Sequence, residues 1–233
     1  MPNEVVTVTP EIIDLGSRFA KNIACDQINQ IQDILPLPED TILFGFADDG
    51  LPLLLKVNEP ETGPILILGK SCSGKTALLQ SIALGLSYTH SPAMIQFAVI
   101  TPNTFNWVAQ ADSPYCAGIY SLQSDRACRA LKALEIWQHY KRRDKMLILF
   151  VDGLEFANFL NAIARNLLAR LFQNGSTYGI WPIVTANSDR PTENKAWLSL
   201  FATTIFCLQN EITGRSAYII NDAEGLLKFN GIR

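Results

Sequence analysis

Residues 64–89 read PILILGKSCSGKTALLQSIALGLSYT, and the fold is decided there. PILILGK is a short apolar run of the length and composition of a buried strand. TALLQSIALGLSYT then predicts a helix. Between them, Gly69-Lys70-Ser71-Cys72-Ser73-Gly74-Lys75-Thr76 matches G-x-x-x-x-G-K-[ST], the phosphate-binding P-loop. Each residue type has a task. The glycines let main-chain N–H groups curl around the β- and γ-phosphates, Lys75 reaches the phosphate oxygens, and Thr76 offers a hydroxyl to Mg²⁺. The helix that follows aims its positive end at the same phosphates. Strand before and helix after is the context the mechanism requires, so a nucleotide with Mg²⁺ is the expected ligand.

Working outward, KMLILFVDG at 145–153 is another buried strand, ending in Asp152. An acid at the tip of such a strand, about 75 residues after the P-loop, has the Walker-B pattern and would hold the magnesium. Hydrolysis ordinarily needs a further carboxylate to orient water, often the next residue, and here that residue is Gly153. Glu155 is the nearest candidate, either catalytic or simply a solvated acid, and Gly153→Glu is the substitution expected to restore turnover. Asn187, at the end of the strand GIWPIVTAN, is a candidate γ-phosphate sensor or a turn former. Arg165, Arg170 and Arg190 are each an arginine finger for a neighbouring subunit or a surface residue. The basic cluster Lys141, Arg142, Arg143 and Lys145 reads as a solvated helix end before it reads as a nucleic-acid contact.

The remaining pattern is α/β. ILFGF-ADDG-LPLLLKV predicts a β-hairpin turning at Asp49-Gly50. MIQFAVIT, TTIFCLQ and SAYII predict further strands. A helix beginning near Ser124 carries Ala127, Leu131, Leu134 and Trp137 on one face, and another, ANFLNAIARNLLARLFQ, stops at Gly175. Short apolar strands alternating with long helices imply a mostly parallel sheet flanked by helices. Pro182 removes a ladder donor, which predicts an edge or bulged position for its strand. Residues 1–40 form an expected N-terminal helix (Ile12, Leu15, Phe19, Ile23, Ile28, Ile31, Ile34) and a linker marked by Pro36 and Pro38; residues 41–233 form the nucleotide domain.

The chain has 233 residues, 48% hydrophobic and 18% charged, which excludes a disordered linker and suits a sheet buried on both faces. A net charge of −3 excludes a globally basic nucleic-acid coat. The longest apolar runs fall far short of the roughly 20 residues of a membrane span, and the acids of MPNEVVTVTPEIID do not suit a signal peptide. Five scattered cysteines without C-x-x-C, with only His90 and His139, argue against zinc and for a reducing, cytoplasmic setting; tethering to a membrane through another segment stays open.

From about residue 36 onward, the order ILFGFADDGLPLLLKV, P-loop, THSPAMIQFAVI, VDGLE, YGIWPIVTANSDRP resembles the FtsK/SpoIIIE motor domain. ILPLPED, THSPAMIQF and the VDG Walker B are closest in texture to the ATPase modules of type VII secretion proteins of the EccC/EssC kind. The resemblance implies a RecA-like P-loop NTPase fold, ATP and Mg²⁺, and a homo-oligomeric ring or neighbouring ATPase domains. Its relatives act on double-stranded DNA or on secreted proteins. Gly153, Thr101, Ser176 and Trp181 depart from the translocase pattern, which lacks neither an Asp at the position of Thr101 nor a Glu at that of Gly153. Two functions are therefore in play. One is an ATP-binding module with slow hydrolysis that engages a protein partner; the other is an active DNA translocase.

Overall fold

The computed structural model describes residues 29–57, 62–122, 125–139, 145–189, 197–209, 216–222 and 225–232. The chain divides into two compact units, residues 1–36 with Arg233, and residues 37–232. In the first, residues 29–33 are helical and Ile34 lies in the turn that ends them; residues 1–28 of the expected N-terminal helix lie outside the described residues.

The second unit is built on one ten-stranded sheet in the order β2-β1-β10-β9-β8-β3-β7-β6-β4-β5. β1 (Thr41–Ala47) and β2 (Pro52–Lys56) form the expected hairpin. Gly50 takes φ 86°, and Asp49 accepts from the Leu51 N–H at 3.1 Å, so the Asp-Gly pair makes the turn. β3 (Ile65–Gly69), β4 (Ile95–Thr101), β5 (Cys116–Ser121), β6 (Met146–Asp152), β7 (Ile180–Asn187) and β8 (Thr203–Gln209) run parallel. β9 (Ser216–Asp222) and β10 (Gly225–Asn230) return antiparallel and join this block to the hairpin. β5 and β10 have no counterpart in the sequence reading.

Alternation along β3 sends its side chains to two cores. Ile65 and Ile67 pack with Leu78, Ile82 and Leu86 of α1 (Lys75–Thr89). On the other face, Leu66 joins Ala127 and Leu131 of α2 (Asp125–His139) and Ala164, Leu168 and Leu171 of α3 (Ala162–Asn174). A sheet covered on both faces buries nearly every residue of its inner strands, which explains the continuous apolar runs. The α3 helix is capped by Asn161, whose side chain accepts from the Ala164 N–H at 2.9 Å. Gly175 does not reverse the chain; a further turn runs to Tyr178, and Gly179, at φ 75°, makes the left-handed stop.

The expectation that Pro182 lies at an edge is corrected. β7 sits inside the sheet, between β3 and β6. The Leu147 N–H donates to Gly179 O at 2.8 Å, so by alternation Gly179, Trp181 and Ile183 face β6 while Pro182 faces β3. The ladder with β3 begins at the Ile65–Ile183 pair. The missing donor falls where that ladder has not yet started.

Candidate functional site

β3, β7 and β6 lie side by side and parallel, so their carboxyl ends reach the same rim of the sheet. Gly69 is in register with Asn187, and Asp152 with Thr185. The P-loop leaves β3 at this rim and turns into α1 at Lys75. Cys72 takes φ 60° and Gly74 φ 101°. A side chain at Gly74 would run into the Ser216 hydroxyl, and one at Gly69 would meet Ser73 Oγ at 2.6 Å. Both positions need glycine for space. Neighbouring strands hold the loop: Cys207 Sγ donates to Ser73 O at 2.8 Å, Tyr218 Oη to Gly74 O at 3.1 Å, and the Ser71 N–H to Asp189 at 3.2 Å. Burial pushes the Cys207 thiol pKa up, so it serves as a neutral donor.

Lys75 Nζ stands at the centre of the cluster. It donates to Gly69 O at 3.0 Å, Lys70 O at 2.6 Å and Asn187 Oδ1 at 2.9 Å. Burial pushes its ammonium pKa below the usual lysine range, and the charges of Glu155, Asp152 and Asp189 oppose that push. Asn187 is in turn gripped by Glu155: the side-chain amide donates to Oε1 at 2.8 Å and the main-chain N–H to Oε2 at 3.3 Å. Glu155 is 6% exposed, far from a solvated acid. What brings it here is Gly153. At φ 103° and ψ 72° it bends the chain into the short turn Leu154–Phe159, which folds back on β7.

Thr76 Oγ1 donates to both oxygens of Asp152, at 2.9 and 3.0 Å. Asp152 also accepts from Thr185 Oγ1 at 3.0 Å and from the indole N–H of Trp107 at 3.3 Å. Thr185 accepts in its turn from the Gly153 N–H at 2.8 Å. Sequence reasoning missed Thr185 and Trp107. Thr185 was detectable as the one polar residue inside an apolar strand, two positions before Asn187. Trp107 gave no signal, because its position depends on the turn after β4.

The cluster fits a nucleotide polyphosphate with its cation. Ser73 Oγ is buried without a hydrogen-bond partner, facing a loop shaped by glycines. One hydroxyl and one carboxylate converge at the start of α1, a hard-oxygen pair of the kind Mg²⁺ takes while keeping its other positions for phosphate and water. Thr76 and Asp152 would hold that ion, and Gly69–Thr76 the phosphates.

The other sequence candidates lie elsewhere. Arg170 pairs with Glu135 of α2 at 2.9 Å on the surface, and Arg165 is exposed on α3. Lys145 precedes β6, at the end of the sheet opposite the site. Arg190, Lys141, Arg142, Arg143 and Ser124 lie outside the described residues, as does the side chain of Trp137. Thr101 is fully buried, Trp181 is 5% exposed in the core, and Ser176 is exposed.

A P-loop between strand and helix, an acid-tipped neighbouring strand and a polar residue ending the strand between them define a RecA-like P-loop ATPase fold. Residues 40–148 match the FtsK/SpoIIIE family. That match spans just under half of the chain, and the fold as a whole is similar to that of type VII secretion ATPases. The cytoplasmic domain of the type VII secretion ATPase EccC from Thermomonospora curvata superposes with a TM-score of 0.69 at 17% identity, covering 84% of this chain and 29% of that one. ATPases 2 and 3 of EssC from Geobacillus thermodenitrificans give a TM-score of 0.63 at 15% identity, over 84% of this chain and 47% of theirs. EccC ATPases 2 and 3 from T. curvata in complex with a signal sequence peptide give 0.61 at 16% identity, over 82% and 40%. The chain thus spans less than half of each. Among curated proteins none matches it significantly.

Proposed function

We propose that this domain binds ATP with Mg²⁺ and hydrolyses it slowly, acting as a nucleotide-controlled module that assembles with other ATPase domains and engages a protein partner. The observation that carries the reading is the chain Lys75–Asn187–Glu155. The phosphate-binding lysine is held by the sensor-like side-chain amide of Asn187, and the second carboxylate in the cluster accepts from that residue twice, once from the amide and once from the main-chain N–H. Binding groups are in place, while a carboxylate free to orient water is not found among the described residues. Bound Mg²⁺ would supply charge neutralisation at the phosphates. Lys75 and the loop N–H groups orient the phosphates, and Asn187 reports their presence to the turn that carries Glu155.

The similar fold of an EccC fragment bound to a signal sequence peptide favours a protein partner over DNA. No helix among the described residues is long and apolar enough to cross a membrane, which is compatible with the cytoplasmic placement we propose. The deciding measurement is ATP turnover with and without double-stranded DNA. Binding with turnover well below about 1 per second, unchanged by DNA, is expected. Strong DNA stimulation would replace this reading with the translocase.

Among the described residues no arginine donates to Asp152, Glu155 or the P-loop. A finger would then come from another copy or another ATPase domain. Sedimentation is expected to show association that grows with protein concentration and with Mg-ATP. A strict monomer at high concentration with Mg-ATP would count against the assembly.

A further inference from the structure

We infer that Trp107 is a positioning residue for the Asp152 carboxylate, setting how tightly the site takes a divalent cation with its nucleotide; this rests on the ATP-binding reading above. Trp107 has no exposed surface, and its ring stacks on Phe150 with centroids 5.7 Å apart and planes 25° from parallel. Phe150 and Asp152 are two residues apart on β6, so they share one face of the strand. An indole lying on Phe150 therefore points its N–H at the Asp152 carboxylate, and the 3.3 Å contact to Oδ2 follows.

The ring is not placed by the core alone. The turn Thr104–Trp107 is tied at both ends. Asn103 donates its N–H to Thr101 Oγ1 at 3.2 Å and accepts from the Phe105 N–H at 3.2 Å, while Gln80 of α1 donates to Asn106 O at 2.6 Å. The helix that begins at the P-loop and the strand that precedes the turn thus both fix the indole. Around Asp152 the donors are shared out: Thr185 on Oδ1, Trp107 on Oδ2, and Thr76 bridging both. Thr76 is the donor that a cation would claim. The two that remain, Thr185 and Trp107, hold one oxygen each and so fix the plane of the carboxylate. Donors behind a metal-binding oxygen of this kind orient it, and their loss ordinarily costs about 10- to 100-fold in metal affinity.

The test separates this role from packing. ATP affinity is measured calorimetrically in Mg²⁺ and in EDTA for three proteins. These are the wild type, Trp107→Phe, and a protein carrying at position 107 the tryptophan isostere with sulfur in place of the indole N–H. The isostere keeps the ring's shape, so it reads out the hydrogen bond even where Trp107→Phe fails to fold. We expect Mg²⁺ to strengthen ATP binding to the wild type. In the isostere protein that gain should shrink by about tenfold while affinity in EDTA stays unchanged. An equal Mg²⁺ gain in wild type and isostere, or an equal loss with and without Mg²⁺, overturns the assignment. Absence of ATP binding to the wild type overturns the nucleotide reading and this one with it.

Discussion

Lys75→Ala is expected to weaken ATP binding well over tenfold, a loss above about 1.4 kcal/mol. Among the described residues, its Nζ is the one cationic side-chain atom whose hydrogen bonds join the P-loop to the end of β7, through Gly69 O, Lys70 O and Asn187 Oδ1. Partial burial already lowers the pKa of the ammonium, so the charge has been drawn out of water in readiness for an anion. Polyphosphate would return what solvation was lost, and a methyl group cannot. The fold has little stake in the substitution, because the α1 residues that pack into the core are Leu78, Leu79, Ile82, Ala83 and Leu86. Calorimetric titration of the folded variant with Mg-ATP checks the point. Unchanged affinity would remove the phosphate-binding assignment of Gly69–Thr76.

Where the candidate site's residues are contiguous, the sequence alone was enough to propose them. Gly69 to Thr76 form a single loop, and the strand-loop-helix texture around them is local. Asp152 was accessible because a buried strand must end somewhere, and an acid at that end is conspicuous. Other parts needed tertiary structure. Glu155 reaches Asn187 only because Gly153 adopts a left-handed conformation, which no spacing rule reveals. Trp107 reaches Asp152 from the turn after β4 to the adjacent strand β6, and an isolated tryptophan in a loop-like stretch looks like any core residue. The missed strands have a similar cause. β5, CAGIYS, is an edge strand whose residues are mostly half-exposed, so it lacks the apolar run that marked β4 and β6. Pro182 misled because the rule about missing donors is a rule about one side of a strand at one position, and its partner strand starts one residue later.

Gly153→Glu, which on sequence grounds should restore turnover, is expected instead to lower the melting temperature without accelerating hydrolysis. At φ 103° an L-residue is strained, at a cost of order 1–3 kcal/mol. A Cβ there would also lie 2.9 Å from Phe156 Cδ2, inside contact distance for a ring that the turn holds in place. Relieving both means straightening the turn, and that turn is what carries Glu155 to Asn187. The variant should therefore disturb the cluster's second carboxylate, Glu155, while failing to position the new one. Glu155→Gln separates the two roles this carboxylate can play. Gln accepts through only one of its two terminal atoms, so one of the two Asn187 N–H groups loses its acceptor and the amide's grip on Lys75 loosens. If Glu155 is a clamp, ATP affinity should drop about tenfold, in line with one lost hydrogen bond to a charged group at about 1.5 kcal/mol, and the slow turnover should persist. If Glu155 leaves Asn187 to orient water once ATP is bound, turnover should fall by about 10²-fold or more at constant affinity. Wild-type hydrolysis at about 1 per second or faster, together with that second pattern, would refute slow hydrolysis. The bend at Gly153 would then be the means by which an acid two positions after Asp152 does the work expected of its immediate neighbour.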